Sequence, residues 1–270
     1  LSYNNYNDIF SALEILSTIK KESATVIIKH ANPCGVAKSR SGLESFINAF
    51  ACDPISAFGG IIACNFRINK KIAQKINESF FEVILAKNFD NTALNILKKK
   101  KNLRIIDISK FKIKNLIDIK TFNNSFLVQT KDNLILDKKK LKCVTKVHPT
   151  KKEISQIEFA FNICKQVKSN AIVLTNNYST IGIGAGQPSR LDSCKIATQK
   201  AKKFNPSKIK NSIAASDAFF PFADGIKILI NSGVKIIVQP GGSLRDQEVI
   251  DLANKAKIKM IFTGIRHFNH

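Results

Sequence analysis

Six short segments of the sequence carry residue types that could do chemistry. Lys29-His30-Ala31-Asn32-Pro33-Cys34-Gly35 sets a cation, an imidazole and a thiol in a polar turn after the apolar run 24–29, where open α/β sheets place their sites. A histidine can act as a general base near neutral pH, and a neighbouring ammonium can stabilise developing negative charge. The same residues also fit a solvated surface turn, or a Cys34 nucleophile activated by His30. Asp53-Pro54-Ile55-Ser56-Ala57-Phe58-Gly59-Gly60 ends in a glycine pair that lets backbone approach a ligand closely or simply turns the chain.

Gly182-Ile183-Gly184-Ala185-Gly186-Gln187-Pro188-Ser189-Arg190 reads as a glycine-rich strand-to-helix turn. Its backbone N–H groups and arginine could hold a phosphate or carboxylate, although it is neither a P-loop nor a G-x-G-x-x-G. Between Asp217 and Asp224 stand Phe219, Phe220 and Phe222. Such rings fit a core, or they stack on a flat ligand with a carboxylate at its ring nitrogens. Gln239-Pro240-Gly241-Gly242-Ser243 is a polar turn after a strand. Arg266-His267-Phe268-Asn269-His270 is a basic aromatic segment that reads as a site or as a disordered end.

The elements that must position these segments alternate between short apolar runs and helical periodicity, the pattern of an α/β architecture. Helices are expected at 8–20, 42–50, 70–79, 91–100, 151–168, 188–204, 225–232 and 245–255. Strands are expected at 24–29, 61–64, 82–86, 104–108, 125–129, 170–175, 179–184, 213–216, 235–239 and 260–263. A boundary near Pro149 divides the chain into two α/β halves, 1–148 and 149–270, of similar style but without a strong residue-level repeat.

At 270 residues and 44% hydrophobic, the chain can bury a core. No run reaches the ~20 apolar residues of a membrane helix, residues 1–8 lack signal-peptide regions, and a soluble cytoplasmic protein is expected. The formal charge of +23 raises the question of nucleic acid. Only six of the 43 basic residues are arginine, however, and the lysines sit in runs such as 98–101 and 138–140 without interleaved aromatics. Compositional drift and solvation account for that charge, and nucleic acid is not expected as a partner. The six cysteines show no C-x-x-C pair and read as reduced thiols, not a zinc site.

Taken in order and spacing, the six segments, with Leu1-Ser2-Tyr3-Asn4-Asn5 and Lys168-Ser169-Asn170, closely resemble the formyltransferase part of the bifunctional purine-biosynthesis family that carries AICAR transformylase and IMP cyclohydrolase activities. That resemblance implies formyl transfer from 10-formyltetrahydrofolate, a cosubstrate, to the 5-amino group of the AICAR nucleotide. It implies Lys29, His30 and Asn170 as catalytic residues. His30 would be the base, Lys29 its electrostatic partner, and Asn170 the holder of the formyl oxygen or the nucleotide's carboxamide. Nucleotide contacts are implied for Gly59, Glu82, Arg190, Phe219 and Arg266, and folate contacts for Leu191, Asp224, Ser243 and Leu244.

The fold implied is two cytidine deaminase-like subdomains in tandem, forming a homodimer with active sites at the interface. The deaminase H-x-E and P-C-x-x-C signatures are absent, so no zinc is expected. The family's N-terminal cyclohydrolase domain and the arginine-tyrosine motif before this segment are not in the sequence, and cyclohydrolase activity is not expected from it. Phe122-Asn123-Asn124-Ser125-Phe126 replaces a stretch that is commonly glycine-rich. A basic nucleic-acid-binding module and a degenerate, non-catalytic homologue are the competing functional readings.

Overall fold

A computed structural model describes residues 1–112 and 117–270. Runs such as Ala24-Thr25-Val26-Ile27-Ile28 bury every side chain, so they become inner strands covered on both faces. Five of the intervening helices are started by Ser2, Ser41, Asp53, Asn69 and Thr150, whose side chains each accept the backbone N–H three residues on.

The first half runs α1 (Tyr3–Ser17), β1 (Ser23–Lys29), β2 (Asn32–Ser39), α2 (Gly42–Phe50), α3 (Pro54–Ala57), β3 (Gly60–Ile68), α4 (Lys70–Asn77), β4 (Phe81–Phe89), α5 (Asn91–Leu97) and β5 (Arg104–Asp107). A separate hairpin follows, β6 (Ile117–Phe122) with β7 (Ser125–Thr130), and then the short β8 (Lys142–Cys143). The second half runs α6 (Lys151–Cys164), β9 (Ile172–Asn176), β10 (Ser179–Gly184), α7 (Arg190–Phe204), β11 (Ile213–Ser216), α8 (Ala223–Asn231), β12 (Ile236–Gln239), α9 (Asp246–Lys255) and β13 (Lys259–Phe262).

All strands but the hairpin form one sheet in the order β5-β4-β3-β1-β2-β10-β9-β11-β12-β13-β8. Each half is therefore a helix, an antiparallel hairpin, a third strand antiparallel to the first, and two more strands parallel to the third. The halves meet where β10 pairs antiparallel with β2 at Ser179 and Ala37. Across the expected 148/149 boundary, β8 adds to β13 and completes the sheet of the second half.

Strand periodicity sorts side chains into layers. Val26, Ile28, Ile61, Ala63, Ala171 and Val173 share one core with α1 and α6. Their alternates Ile27, Ile62 and Ile84 pack with α2, α4 and α5, and Ile172 and Leu174 pack with α7 and α8. The sheet is the middle of three layers.

Four local expectations change. Asn32-Pro33-Cys34-Gly35 is the start of strand β2, not a turn; Pro33, which lacks an N–H, sits at a register shift of the hairpin. The 53–60 segment holds the one-turn helix α3. The helix expected from Pro188 begins at Arg190. Strand β6, in which Ile117 and Ile119 alternate with Asp118 and Lys120, was not among the expected strands, and its residues are almost all exposed.

Gly182 and Gly184 lie in β10, the strand expected at 179–184, so only the residues from Ala185 on form the turn into α7. A Cβ on Gly184 would overlap the Ser193 carbonyl of α7, and one on Gly35 of β2 would overlap the Ala49 carbonyl of α2. In both halves the helix after the hairpin rests on bare backbone. Gly184→Ala should therefore destabilise the chain by about 2–3 kcal/mol through overpacking, read as a lower midpoint in urea denaturation with an unchanged slope.

Candidate active site

The registers place every site candidate at one edge of the sheet. Ile28 of β1 pairs with Ile61 of β3, so the turn after Lys29 lies beside the beginnings of β3 and β4. Ser216 at the end of β11 pairs with Ile172 at the start of β9, so the ends of β11, β12 and β13 reach the same edge. For the second half this is the carboxyl end of its parallel strands, where open sheets bind ligands.

Lys29 closes β1, and His30 and Ala31 form the two-residue turn into β2. Both turn residues have left-handed backbone, φ 54° and 57°, a conformation that costs a non-glycine residue about 1–2 kcal/mol. The Asp8 carboxylate of α1 accepts from the His30 amide at 3.1 Å and from the Ala31 amide at 2.6 Å. His30 is exposed, and its imidazole makes no hydrogen bond among the described residues. Lys29 Nζ donates to the Phe58 carbonyl at 2.6 Å, beside Gly59. Exposed Phe58 and Phe80 pair there, with ring centroids 5.4 Å apart.

Asn32 joins this turn to the second half, because its Oδ1 accepts from the Lys168 amide at 3.1 Å. Two residues on, Asn170 is held through its whole amide. Its Nδ2 donates to the Gln187 carbonyl at 2.8 Å and the Pro188 carbonyl at 3.0 Å, while Oδ1 accepts from Arg190 Nη2 at 2.5 Å. Arg190 Nη1 in turn pairs with Asp217 and donates to Ser216 Oγ at 2.8 Å; Ser169 Oγ donates to the other Asp217 oxygen at 2.5 Å. The pair is buried, with side-chain exposures of 9% and 1%. Asp217 is thereby a structural anchor and not a free carboxylate for a ligand.

The 266–270 segment is docked, not loose. Ser169 donates its amide to the Asn269 carbonyl at 2.9 Å, Lys168 Nζ donates to Asn269 Oδ1 and the His270 carbonyl, and the His267 amide donates to the Asp217 carbonyl. Buried His267 packs on Phe161 and meets Asp132 at 2.5 Å through Nδ1. Burial lowers its pKa, against the pull of Asp132. Arg266 remains exposed, its guanidinium 5.3 Å from the Phe268 ring centre.

The remaining candidates lie on two wings. Glu82, near the start of β4, accepts from Asn5 Nδ2 of α1 at 2.8 Å. On the other wing Leu191 and Phe219 are half-buried, Asp224 is exposed at the start of α8, Ser243 Oγ accepts from the Arg245 amide, and Leu244 is fully exposed. Of the three phenylalanines, Phe220 is core and Phe222 lies under Arg245 at 4.9 Å. From β4 to β12 the sheet order counts seven strand intervals, which at ~4.8 Å each is about 33 Å. One chain thus joins Lys29, His30, Asn170 and Arg190, but not Glu82 with Ser243 and Leu244.

Sequence reading did not single out Asp8, offered Asp217 as a carboxylate for a ligand, and gave no role to Asn5 or Ser169, which stand in its motifs. Asn5 and Asp8 share a face of α1 at helical spacing; nothing in the sequence says that this face abuts the 29–32 turn. Cys34 is buried, and burial pushes its thiol up to about 12, which removes the thiolate that a nucleophile needs. Asp53 bridges the halves instead of touching the edge. Burial raises its pKa, but hydrogen bonds from Lys200 and Ser56 outweigh that and hold it low. Among the described residues no three His, Cys, Asp or Glu side chains converge as metal ligands, and no helix is long and apolar enough to cross a membrane.

A family model described as the AICARFT/IMPCHase bienzyme matches residues 1–200. The chain is similar to the bifunctional purine biosynthesis protein PurH of Aquifex aeolicus, 44% identical over 270 residues, and to those of Bartonella tribocorum, 45% over 281, and Leptospira biflexa, 46% over 271. Each match covers 100% of this chain and 52% of the relative. The chain therefore spans about half the length of these curated relatives.

Two measurements follow from the locked cluster. Asp217→Ala leaves the Arg190 charge buried and should cost about 3–5 kcal/mol in denaturation, more than Ser169→Ala. His267, whose folded pKa lies below its ordinary 6.5, resists protonation in the folded state. Its contribution is complete above pH ~6.5 and is lost as pH falls through the folded value. Stability should therefore decline on acidification from about pH 6.5 down to the folded value, and His267→Gln should flatten this part of the profile.

Proposed function

The chain belongs to the AICARFT/IMPCHase bienzyme family, and from that premise we propose that it transfers a formyl group from 10-formyltetrahydrofolate to the 5-amino group of the AICAR nucleotide. The observation that carries the reading is the Lys29-His30 turn, which offers an exposed imidazole that makes no hydrogen bond among the described residues and, on the preceding residue, an ammonium pinned at one point.

The chemistry asks for both groups. The aromatic amine is a weak nucleophile, so His30 takes its proton as nitrogen attacks the formyl carbon. The tetrahedral oxyanion then meets Lys29, whose ammonium has three donors and spends one on the Phe58 carbonyl. Collapse breaks the bond to the folate nitrogen, which takes the proton from the His30 imidazolium and leaves as the secondary amine of tetrahydrofolate, returning His30 to its neutral form. Asn170 has both Nδ2 protons committed, so its remaining Oδ1 lone pair suits an N–H of the nucleotide's carboxamide better than the formyl oxygen. Arg190 is spent on Asp217 and Asn170, which leaves Arg266 as the freer cation for the nucleotide phosphate, with Gly59, Glu82 and Phe219 around the base and sugar. Leu191, Asp224, Ser243 and Leu244 form the folate side.

A homodimer with shared sites is part of this proposal. The separation of the wings, about 33 Å from the strand spacing, supports it, since a second copy can set one wing against the other. So does the hairpin of β6 and β7, which exposes Ile117, Ile119, Phe122, Phe126, Leu127 and Val128. The repeated helix–hairpin–strand unit supports two tandem subdomains of cytidine deaminase type, and six free cysteines fit the cytoplasm.

The test is formyl transfer by the purified chain, followed as formation of formyl-AICAR and tetrahydrofolate. His30→Ala should lower the rate about 10²–10⁴-fold with folding unchanged. Lys29→Ala should be comparably damaging and Cys34→Ala mild. Loss of turnover in Cys34→Ala with His30→Ala still within a few fold of the parent would reverse the assignment.

A further inference from the structure

We infer that Asp8 is the positioning residue that holds His30 in its working orientation; this rests on the formyl-transfer reading above. The His30-Ala31 turn puts two consecutive non-glycine residues into left-handed backbone. Two-residue hairpin turns of this kind favour Asn-Gly, Asp-Gly or Gly-Gly, because those residues enter that region at small cost. Histidine enters it less readily than glycine, and alanine rarely does. The turn keeps its shape because one carboxylate, presented by the rigid helix α1, binds both of its amides, Oδ2 to His30 and Oδ1 to Ala31.

The second half supplies an internal comparison. Its β9–β10 turn, Asn177-Tyr178, has the same left-handed pair, with φ 44° and 61°. Asp8 is the sixth residue of α1, and the sixth residue of α6 is Gln156. Gln156 also reaches its hairpin turn, but through its Nε2 donating to the Asn177 side chain at 3.3 Å. No side chain binds the Asn177 or Tyr178 amides among the described residues. That turn begins with asparagine, which tolerates left-handed backbone unaided. The helix-to-turn contact is thus common to both halves, and the bidentate carboxylate appears only where the turn carries a histidine. Asp8 does not reach the reacting atoms; it acts through His30 by fixing the Cα from which the imidazole projects, where displacement by about 1 Å can cost about 100-fold in rate.

The experiment combines backbone amide exchange by NMR without substrate with steady-state kinetics, on the parent, Asp8→Ala, Asp8→Asn and Asp8→Ala/Ala31→Gly. Asp8→Ala should lose protection at the His30 and Ala31 amides while strand amides in β1 and β3 keep theirs. Its kcat should fall about 10- to 100-fold, with KM for both substrates within about threefold. Asp8→Asn, which keeps one acceptor oxygen, should lie between. Glycine at position 31, which accepts the left-handed backbone, should recover several-fold of the lost kcat. Unchanged protection of both amides in Asp8→Ala overturns the inference, as does lost protection with kcat within twofold of an active parent. A parent without formyl transfer counts against the formyltransferase reading alone, and amide exchange still decides whether Asp8 holds the turn.

Discussion

The Thr180 hydroxyl accepts from the Val36 amide at 2.9 Å and donates to the Val36 carbonyl at 3.2 Å, closing a seam in which β2 and β10 share little regular ladder. Buried backbone groups at a shortened pairing need other partners, and this side chain supplies them. Asn205 on the Ala51 carbonyl, Lys208 on Asn48 and Lys200 on Asp53 fasten the same seam from its helical side. Were the halves free to slide, the 29–32 turn would not face residues 168–170. The candidate site exists only because two separately built units share one sheet.

Antiparallel joining at the seam also explains the asymmetry of the edge. It turns the second half by about 180° relative to the first, so one edge collects the beginnings of β3 and β4 and the ends of β11 and β12. The first half contributes the 29–32 turn, and the second contributes strand-end loops of the sort that bind ligands. Polar groups on this edge divide accordingly. Asp217, Arg190, Ser169 and Asn170 are buried or half-buried and satisfy one another, giving a rigid floor; His30 and Arg266 are left facing solvent.

Part of the excess of lysine serves the architecture. Lys100 ties the Asn77 and Ser79 carbonyls, Lys165 holds the Leu134 carbonyl, and Lys131 and Lys259 pair with Glu14 and Glu153. These contacts pin loops to helices with long, adaptable side chains.

The sequence by itself determined the alternation of strands and helices, because burial on two faces and helical periodicity are local signals, and it reproduced the bounds of β10 and β11. It also pointed to Lys29, His30 and Asn170, whose neighbours in the chain carry the family's pattern. It could not show that 32–39 is a strand, since proline and glycine there read as a turn until a partner strand and a bulge accommodate them. Nor could it assign Gly184, whose missing Cβ matters only against a carbonyl of α7. Asp8, 22 residues before His30, and Asp217, 27 after Arg190, were likewise decided by tertiary structure alone. A carboxylate's role depends on which amide or guanidinium lies within about 3 Å, and that distance is set by packing, not by spacing along the chain.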